Sequence, residues 1–411
     1  MPESDLPRAL DGLRVLDFTR VLAGPFATAL LADLGADVLK IEPPQGDDYR
    51  SIGPMRAGQS ALFSVMNRNK KSLVLDLKQR AAVDVALELA QHADIVFENF
   101  RPGVADRLGI GAGALLARNP RLVYVSISGF GQTGPLAHRP AYDIVIQAMS
   151  GLMEATGSPD GPPTLVGEAV SDVVSGLFAA WAALAALHQV ARTGRGQHVD
   201  VGMFDSTLSF LATSVARFVF TGKAPQRVGN RHPLSAPFGV YRAGDGYFAL
   251  AVLNAKLFES LAAAIDCPSL LTDPHYATDE LRSQHEAALR AEIERWAGRH
   301  SVNAVLGALD AAGVPSAPLW NVAQALESPQ AQARQVLRPV DDERIPGLRV
   351  PTQPVRFEGS SPNRAARAPA LGEHTADVLQ ELLGCSLERI AALRACGAIG
   401  TGPDPSGRSP T

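Results

Sequence analysis

The stretch TLVGEAVSD, Thr164 to Asp172, sets one carboxylate between a glycine-bearing loop and the apolar run VVSGLFAAWAALAALHQVA. Two kinds of chemistry suit a carboxylate placed there. Ser171 or Asp172 could accept hydrogen bonds from the free N–H groups of a helix that begins at this point. Alternatively the carboxylate could act directly in catalysis. Taken alone, the window favours the cap. Elsewhere the chain has no G-x-S-x-G elbow, no H-E-x-x-H and no G-x-x-x-x-G-K-[ST]. Cys267, Cys385 and Cys396 stand in no nucleophile setting, and His138, His198, His232 and His374 are scattered through polar or turn contexts. By elimination, the candidate nucleophile is a carboxylate.

Two further patterns invite chemistry. GFGQTG, Gly129 to Gly134, spells G-x-G-x-x-G directly after the strand-like RLVYVSIS. A dinucleotide fingerprint must open a helix, because the pyrophosphate sits on free N–H groups at the helix start. Pro135 and LAHRP follow instead, which speaks against a nicotinamide or flavin site. Basic residues gather in three loops: Arg68, Lys70 and Lys71 in NRNKKS, Lys78 after LDL, and Arg101 with Arg107 in ENFRPGVADRLG. Each reads singly as a solvated surface residue. Together, after successive βα units, they could meet at one sheet edge and hold phosphates.

The elements that must position these residues follow a regular alternation. LRVLDFT, DVLKIE, SLVLDL, DIVFENF and RLVYVSIS read as short buried strands, separated by the helical FATALLADLG, AAVDVALELAQHA and GALLARN. Such βαβ repetition predicts an open, Rossmann-like α/β sheet without the usual cofactor fingerprint. Helical sequence then runs from Tyr142 to about Phe220, interrupted by GSPDGPP and by RTGRGQ before a further strand, HVDVGM. From Pro233, short strands (FGVYRA, YFALAV) and amphipathic helices (EAALRAEIERWAGRH, SVNAVLGALDAAG) suggest a smaller α+β domain. The expected organisation is a large Rossmann-like α/β domain over 1–220, a small α+β domain over 221–330, a return to the large domain over 331–400, and a disordered tail over 401–411.

Composition excludes several classes. The 411 residues allow roughly two domains at about 100–200 residues each. A net charge of −4 argues against nucleic acid or an anionic membrane as partner, while leaving room for a small anion. Three cysteines without C-x-x-C spacing suggest neither a disulfide framework nor a metal site, and fit the cytoplasm. The polar start MPESDLPRALDG carries no signal-peptide pattern, and the longest apolar run, Leu177 to Leu187, is short for a membrane span of about 20 residues. It reads as a buried helix.

Several of these stretches, in order, resemble the family III CoA-transferases, a group that includes formyl-CoA, crotonobetainyl-CoA and benzylsuccinate CoA-transferases and the related α-methylacyl-CoA racemases. They are RVLAGPFATALLADLGADVLKIEPP, NRNKKSLVLDLK, VFENFRPGVADRLG, SGFGQTGPLAHRPAYDIVIQAMSG, PPTLVGEAVSD and TGRGQHVDV, with GNRHP and LGEHT later. The likeness runs from about Leu10 to Leu383. It implies that Asp172 is the nucleophile and passes through an aspartyl-CoA thioester, with oxyanion donors from the first turn of its helix or a loop near Gly229. It also implies CoA contacts at Leu22, Ala23, Leu75, Lys78, Asn99, Phe100 and Arg101, a phosphate-binding role for Arg107, and a segment beside the pantetheine arm at Pro140, Ala141, Tyr142 and Asp143. Coenzyme A enters as substrate; no tightly bound cofactor or metal is expected.

The resemblance also narrows the reaction. Pro43 and Pro140 replace basic residues of formyl-CoA transferase and its GGGGQ loop is missing, which speaks against the formyl/oxalyl reaction. Tyr142 stands where the racemases carry a catalytic histidine, so transfer is favoured and racemization is the alternative. RVLAGPFAT and NRNKKS look most like the branch that uses succinyl-CoA with dicarboxylates such as glutarate, itaconate, mesaconate or malate. Arg20, Arg231 or His232 would then meet the second carboxylate. The family's interlocked homodimer is expected. Competing readings are a non-catalytic CoA-binding protein and a nicotinamide oxidoreductase.

Overall fold

The computed structural model describes residues 6–400. The expected tail, 401–411, lies outside the described residues. The chain divides into two compact units: one takes the residues up to Leu152, Val166–Ala216 and the stretch from Ala331 on, the other Met153–Leu165 and Arg217–Gln330.

Six parallel strands form the sheet of the first unit: β1 (Arg14–Asp17), β2 (Asp37–Glu42), β3 (Lys71–Val74), β4 (Ile95–Glu98), β5 (Val123–Ser128) and β6 (Gln197–Gly202). Their spatial order is β3-β2-β1-β4-β5-β6. The order reverses between β1 and β4, the switch point where open α/β sheets leave a crevice beyond the strand ends. Strands buried on both faces need near-continuous apolar sequence, which is why VYVSIS is buried throughout.

Successive side chains point to opposite faces, so Val15 and Leu16 enter different cores. Val15 joins Ile95, Val125 and helices α1 (Ala23–Asp33) and α4 (Val170–Thr193). Leu16 joins Leu73, Val96 and helix α2 (Arg80–Ala90) together with the C-terminal helices Thr375–Leu383 and Leu387–Ala395. The returning chain is stitched to the sheet edge: His374 N–H donates to the Ser72 carbonyl, and Ile399 pairs with Leu75.

Two helix starts differ from the sequence reading. Helix α1 begins at Ala23 instead of Phe26, because Pro25 is compatible with a first helical turn. Helix α4 begins at Val170 instead of Asp172 and ends on Gly194 at φ 71°. At 24 residues it is long and apolar enough to cross a membrane by length and composition alone. It buries a stripe of small residues, Ala179, Ala183 and Ala186, in the core of the unit. Gly176 is what allows the close approach of α4 to α1: a Cβ there would stand 2.6 Å from the Ala23 carbonyl oxygen.

The second unit is α+β. Strands β7 (Phe238–Arg242), β8 (Tyr247–Ala251) and β9 (Ser316–Pro318) form an antiparallel sheet in the order β9-β8-β7. Tyr241, Phe248 and Leu250 share a core with helices Ala255–Ala264, Glu286–Ala297 and Val302–Ala311.

Candidate active site

Two adjoining cavities open where the sheet order reverses. The first, of about 270 Å³, is lined by the chain leaving β1 (Arg20 to Ala23), β4 (Asn99 to Pro102) and β5 (Ser128, Gly129), and by Pro140, Ala141, Tyr142 and Asp172. The second, of about 250 Å³, lies over the ends of β1, β2 and β3 and is walled by Phe18, Ile41, Leu75, Leu77, Lys78 and Leu108. Arg20 and Phe100 belong to both walls. Of the residues named from sequence, Leu22, Ala23, Asn99, Phe100, Arg101, Pro140, Ala141, Tyr142 and Asp172 meet in the first cavity, Leu75 and Lys78 in the second. Arg107 lines neither and lies exposed on the short helix Val104–Arg107.

Asp172 does not cap its helix. It is the third residue of α4, the N-cap position is Ala169 without a side-chain bond, and no described residue donates a hydrogen bond to the Asp172 carboxylate. The free N–H groups are satisfied from a neighbouring helix, α3 (Asp143–Met149): Asp143 Oδ1 accepts from Ser171 N at 2.7 Å and from Asp172 N at 3.3 Å. Val170 N and Val173 N donate to the carbonyls of Glu168 and Ala169. The first turn of α4 therefore has no amide left for an oxyanion, contrary to the expectation, and Gly229 N is likewise spent on the Gly157 carbonyl. Asp143, expected beside the pantetheine arm, does not line the first cavity; its carboxylate is turned to the helix start.

Burial, and then the negative charge of Asp143, push the Asp172 carboxyl up to about 7. A carboxyl whose folded pKa is raised contributes full stability below its unfolded pKa near 4, and that contribution is lost as pH rises through about 7. Asp172→Asn is thus expected to stabilise the fold at pH 8, by about 1–3 kcal/mol after discounting for partial solvent contact, and to change little at pH 4. Urea unfolding at the two pH values reads the difference.

A buried ionic lattice holds the loop after β1. Asp17 accepts from Thr19 N (2.9 Å), the Thr28 hydroxyl (2.6 Å) and Lys70 Nζ (2.9 Å). Lys40 Nζ donates to the Thr19 carbonyl and pairs with Asp47, both at 2.8 Å. Asp47 Oδ1 in turn accepts from Val21 N and Tyr49 N. Val21 sits at φ 68°, a conformation unfavourable for a β-branched side chain and one that only surrounding bonds can enforce. Burial alone would raise the Asp17 pKa; Lys70 and Lys40 with the two hydroxyls bring it down to about 2.

This lattice overturns part of the proposed phosphate cluster. Lys70 is buried on Asp17, Arg68 is buried on Asp33 (2.6 Å) and Lys71 pairs with Asp37 (2.9 Å). NRNKKS is wholly polar, with three basic residues and no apolar one, so nothing in its composition reveals that it turns inward; the signal would have been the unmatched Asp17 and Asp33 in apolar runs. Arg101 and Lys78 do face the cavities.

Sequence reasoning also missed Arg139 and Ser128 on the first wall, and Glu98 behind it. Glu98 accepts from Phe100 N at 2.8 Å and so shapes the Asn99–Phe100 turn, while Asn99 clamps the backbone of Arg20 through both ends of its amide. GFGQTG opens no helix: Gly131 and Gly134 lie at φ 79° and 93°, and Gln132 N is taken by Asp200. In the second unit, His232 stacks on Phe238 and accepts from Leu234 N and Ser235 N through Nδ1.

Residues 10–375 match the model of CoA-transferase family III. The chain is 46% identical to acetyl-CoA:oxalate CoA-transferase of Acetobacter aceti, over 90% of this chain and 95% of that one. It is 38% identical to succinate–glutarate CoA-transferase of Agrobacterium fabrum, over 93% and 97%. A crystal structure of a CaiB/BaiF family protein from Brucella suis superposes with a TM-score of 0.82 at 38% identity, covering 91% of this chain and 99% of that one. On these matches and on the Rossmann-like sheet order, the chain belongs to CoA-transferase family III and is a CoA-transferase.

Proposed function

We propose that this enzyme moves CoA from a short acyl-CoA to a dicarboxylic acid, with Asp172 as the nucleophile. The observation that carries the reading is the state of Asp172: a carboxylate without hydrogen-bond donors, on the wall of a crevice at the sheet's switch point. An oxygen free of hydrogen bonds keeps its electron pair available for attack. The carboxylate attacks the donor thioester carbon, expelling CoA thiolate and forming a mixed anhydride. The thiolate then attacks the aspartyl carbonyl, releasing the donor acid and leaving an aspartyl-CoA thioester. The acceptor carboxylate runs the same two steps in reverse, regenerating Asp172. Exclusion of water from the anhydride conserves the thioester's energy.

The second, mainly apolar cavity suits the adenine end of CoA, with Lys78 and Arg101 placed for phosphates. The second carboxylate of the acceptor requires a cation. Arg139 lines the first cavity and has no ion-pair partner among the described residues; Arg20 has only Asp48 at 3.8 Å. Relatives named for oxalate and glutarate support a dicarboxylate acceptor, and the oxalate relative extends the candidates beyond those the sequence favoured. A homodimer is supported by exposed apolar side chains, Trp181 at 67% and Phe220 at 89%. Free thiols at all three cysteines fit the cytoplasm.

Succinyl-CoA and acetyl-CoA, each offered oxalate, malate, mesaconate, itaconate, glutarate and the monocarboxylates propionate and butyrate, form the test. Mass spectrometry should find at least one dicarboxyl-CoA formed about tenfold or more faster than any monocarboxyl-CoA, and Arg139→Ala should narrow that ratio. Equal rates for monocarboxylates would overturn the acceptor class. Because attack needs the ionised carboxylate, kcat/KM should climb with pH to a plateau above about 7.

A further inference from the structure

We propose that Asp143 is a positioning residue: from α3 it caps the helix that carries Asp172 and so fixes where the nucleophile stands. The inference rests on the nucleophile reading of Asp172 and gives Asp143 a task other than the CoA contact implied by family resemblance.

The geometry is that of a clamp between two segments. One oxygen of Asp143 takes the N–H groups of Ser171 and Asp172, at 2.7 and 3.3 Å. The other takes Gln147 Nε2 at 2.7 Å, one turn along α3. Gln147, fully buried, uses the same nitrogen to reach the Glu168 carbonyl at 3.1 Å, and its oxygen accepts from Val166 N at 3.1 Å. Between them the two side chains therefore hold Val166, Glu168, Ser171 and Asp172, the whole entrance of α4. No residue of α4 caps this entrance itself, since the N-cap is Ala169. Helix N–H groups ordinarily find a local Ser, Thr, Asp or Asn; here the cap comes across a tertiary contact, so the position of Asp172 depends on a residue 29 places earlier in the chain.

The clamp has an electrostatic side. The charged and titratable groups facing Asp172 among the described residues are Asp143 from α3 and Tyr49 from the turn Asp48–Arg50, while Arg20, Asp48, Arg101 and Arg139 share its cavity wall. Asp143 is the one whose charge raises the proton affinity of Asp172, adding to the effect of burial. A carboxylate held basic in this way is a stronger nucleophile once ionised and a poorer leaving group from its own anhydride than a surface aspartate.

Two variants separate position from charge. Asp143→Asn keeps an oxygen for the two N–H groups but loses the charge and sets its amide nitrogen against Gln147; Asp143→Ala loses cap and charge together. Steady-state kinetics across pH should give a kcat lowered about tenfold or more in Asp143→Ala, with the KM for acyl-CoA within about threefold of the parent. Asp143→Asn should recover part of kcat and move the acid limb of the profile down by about half a unit to one unit. A KM that rises while kcat holds, or an acid limb that stays in place in Asp143→Asn, would overturn the positioning role. If Asp143→Ala does not fold, the Asn variant alone decides through its pH limb. Parallel kinetics of Asp172→Ala keep the two readings apart: an active Asp172→Ala defeats the nucleophile assignment, whereas an inactive one beside unperturbed Asp143 variants defeats only this inference.

Discussion

Asp172→Ala and Asp172→Asn should each lower kcat by about a thousandfold or more, while the affinity for CoA changes by no more than about threefold. The asymmetry follows from where the side chain sits. Asp172 touches the cavity, receives no hydrogen bond and supports no neighbouring backbone, so its removal leaves the CoA-binding walls intact. No other carboxylate of the first cavity can substitute for it. Asp48, the other carboxylate on that wall, is drawn to Arg20, and Asp143, which lies outside the cavity, is consumed by the start of α4. Were Asp172 only a structural residue, the Asn variant would keep its activity within a few-fold, because the loss of a surface or cap contact costs about 1 kcal/mol in stability and nothing in chemistry. Isothermal titration with CoA beside a transfer assay measures both quantities on the same preparation.

Lys70→Met should be the most damaging single change to the fold, at about 3–5 kcal/mol. It would leave Asp17, fully buried and held near pKa 2, without its closest counter-charge, and would free Asn67 and the Pro25 carbonyl from the same ammonium. Replacing both members, Asp17→Asn with Lys70→Met, should recover a large part of that loss, since the penalty lies in the unpaired charge more than in the lost bond. The single variant should also weaken CoA binding, because Asp17 anchors Thr19 and the lattice reaches Val21 through Lys40 and Asp47. Urea unfolding of the parent, both single variants and the double variant gives the coupling directly. A loss below about 1 kcal/mol for Lys70→Met would show that the lattice is solvated in solution.

How far this could be read from sequence depends on whether the information is local. The strands were legible because runs such as VYVSIS carry their own signal, and repeated βα units announce an open α/β sheet, whereas the order of its strands is visible only in the fold. The catalytic candidate was legible as a residue but its environment was not. The spacing SDVVSG invites a self-capped helix, and only the fold brings Asp143 to the free N–H groups instead. Charged loops misled for the same reason. Arg68 and Lys70 look like solvent-facing residues in NRNKKS, and their partners Asp33 and Asp17 are 35 and 53 positions away. A buried ion pair writes no periodic pattern into the chain, so its members appear separately as an odd acid in an apolar strand and an ordinary base in a polar loop.

The covalent intermediate is the central claim, and intact-protein mass spectrometry addresses it most directly. Incubation with succinyl-CoA or acetyl-CoA, without acceptor, should add the mass of CoA less one water to the wild-type chain. Hydroxylamine should convert that adduct to a hydroxamate, and peptide mapping should place it on Asp172. The Asp172→Ala chain should show neither. An adduct that persists in Asp172→Ala, or active wild-type enzyme that never carries one, would contradict the account.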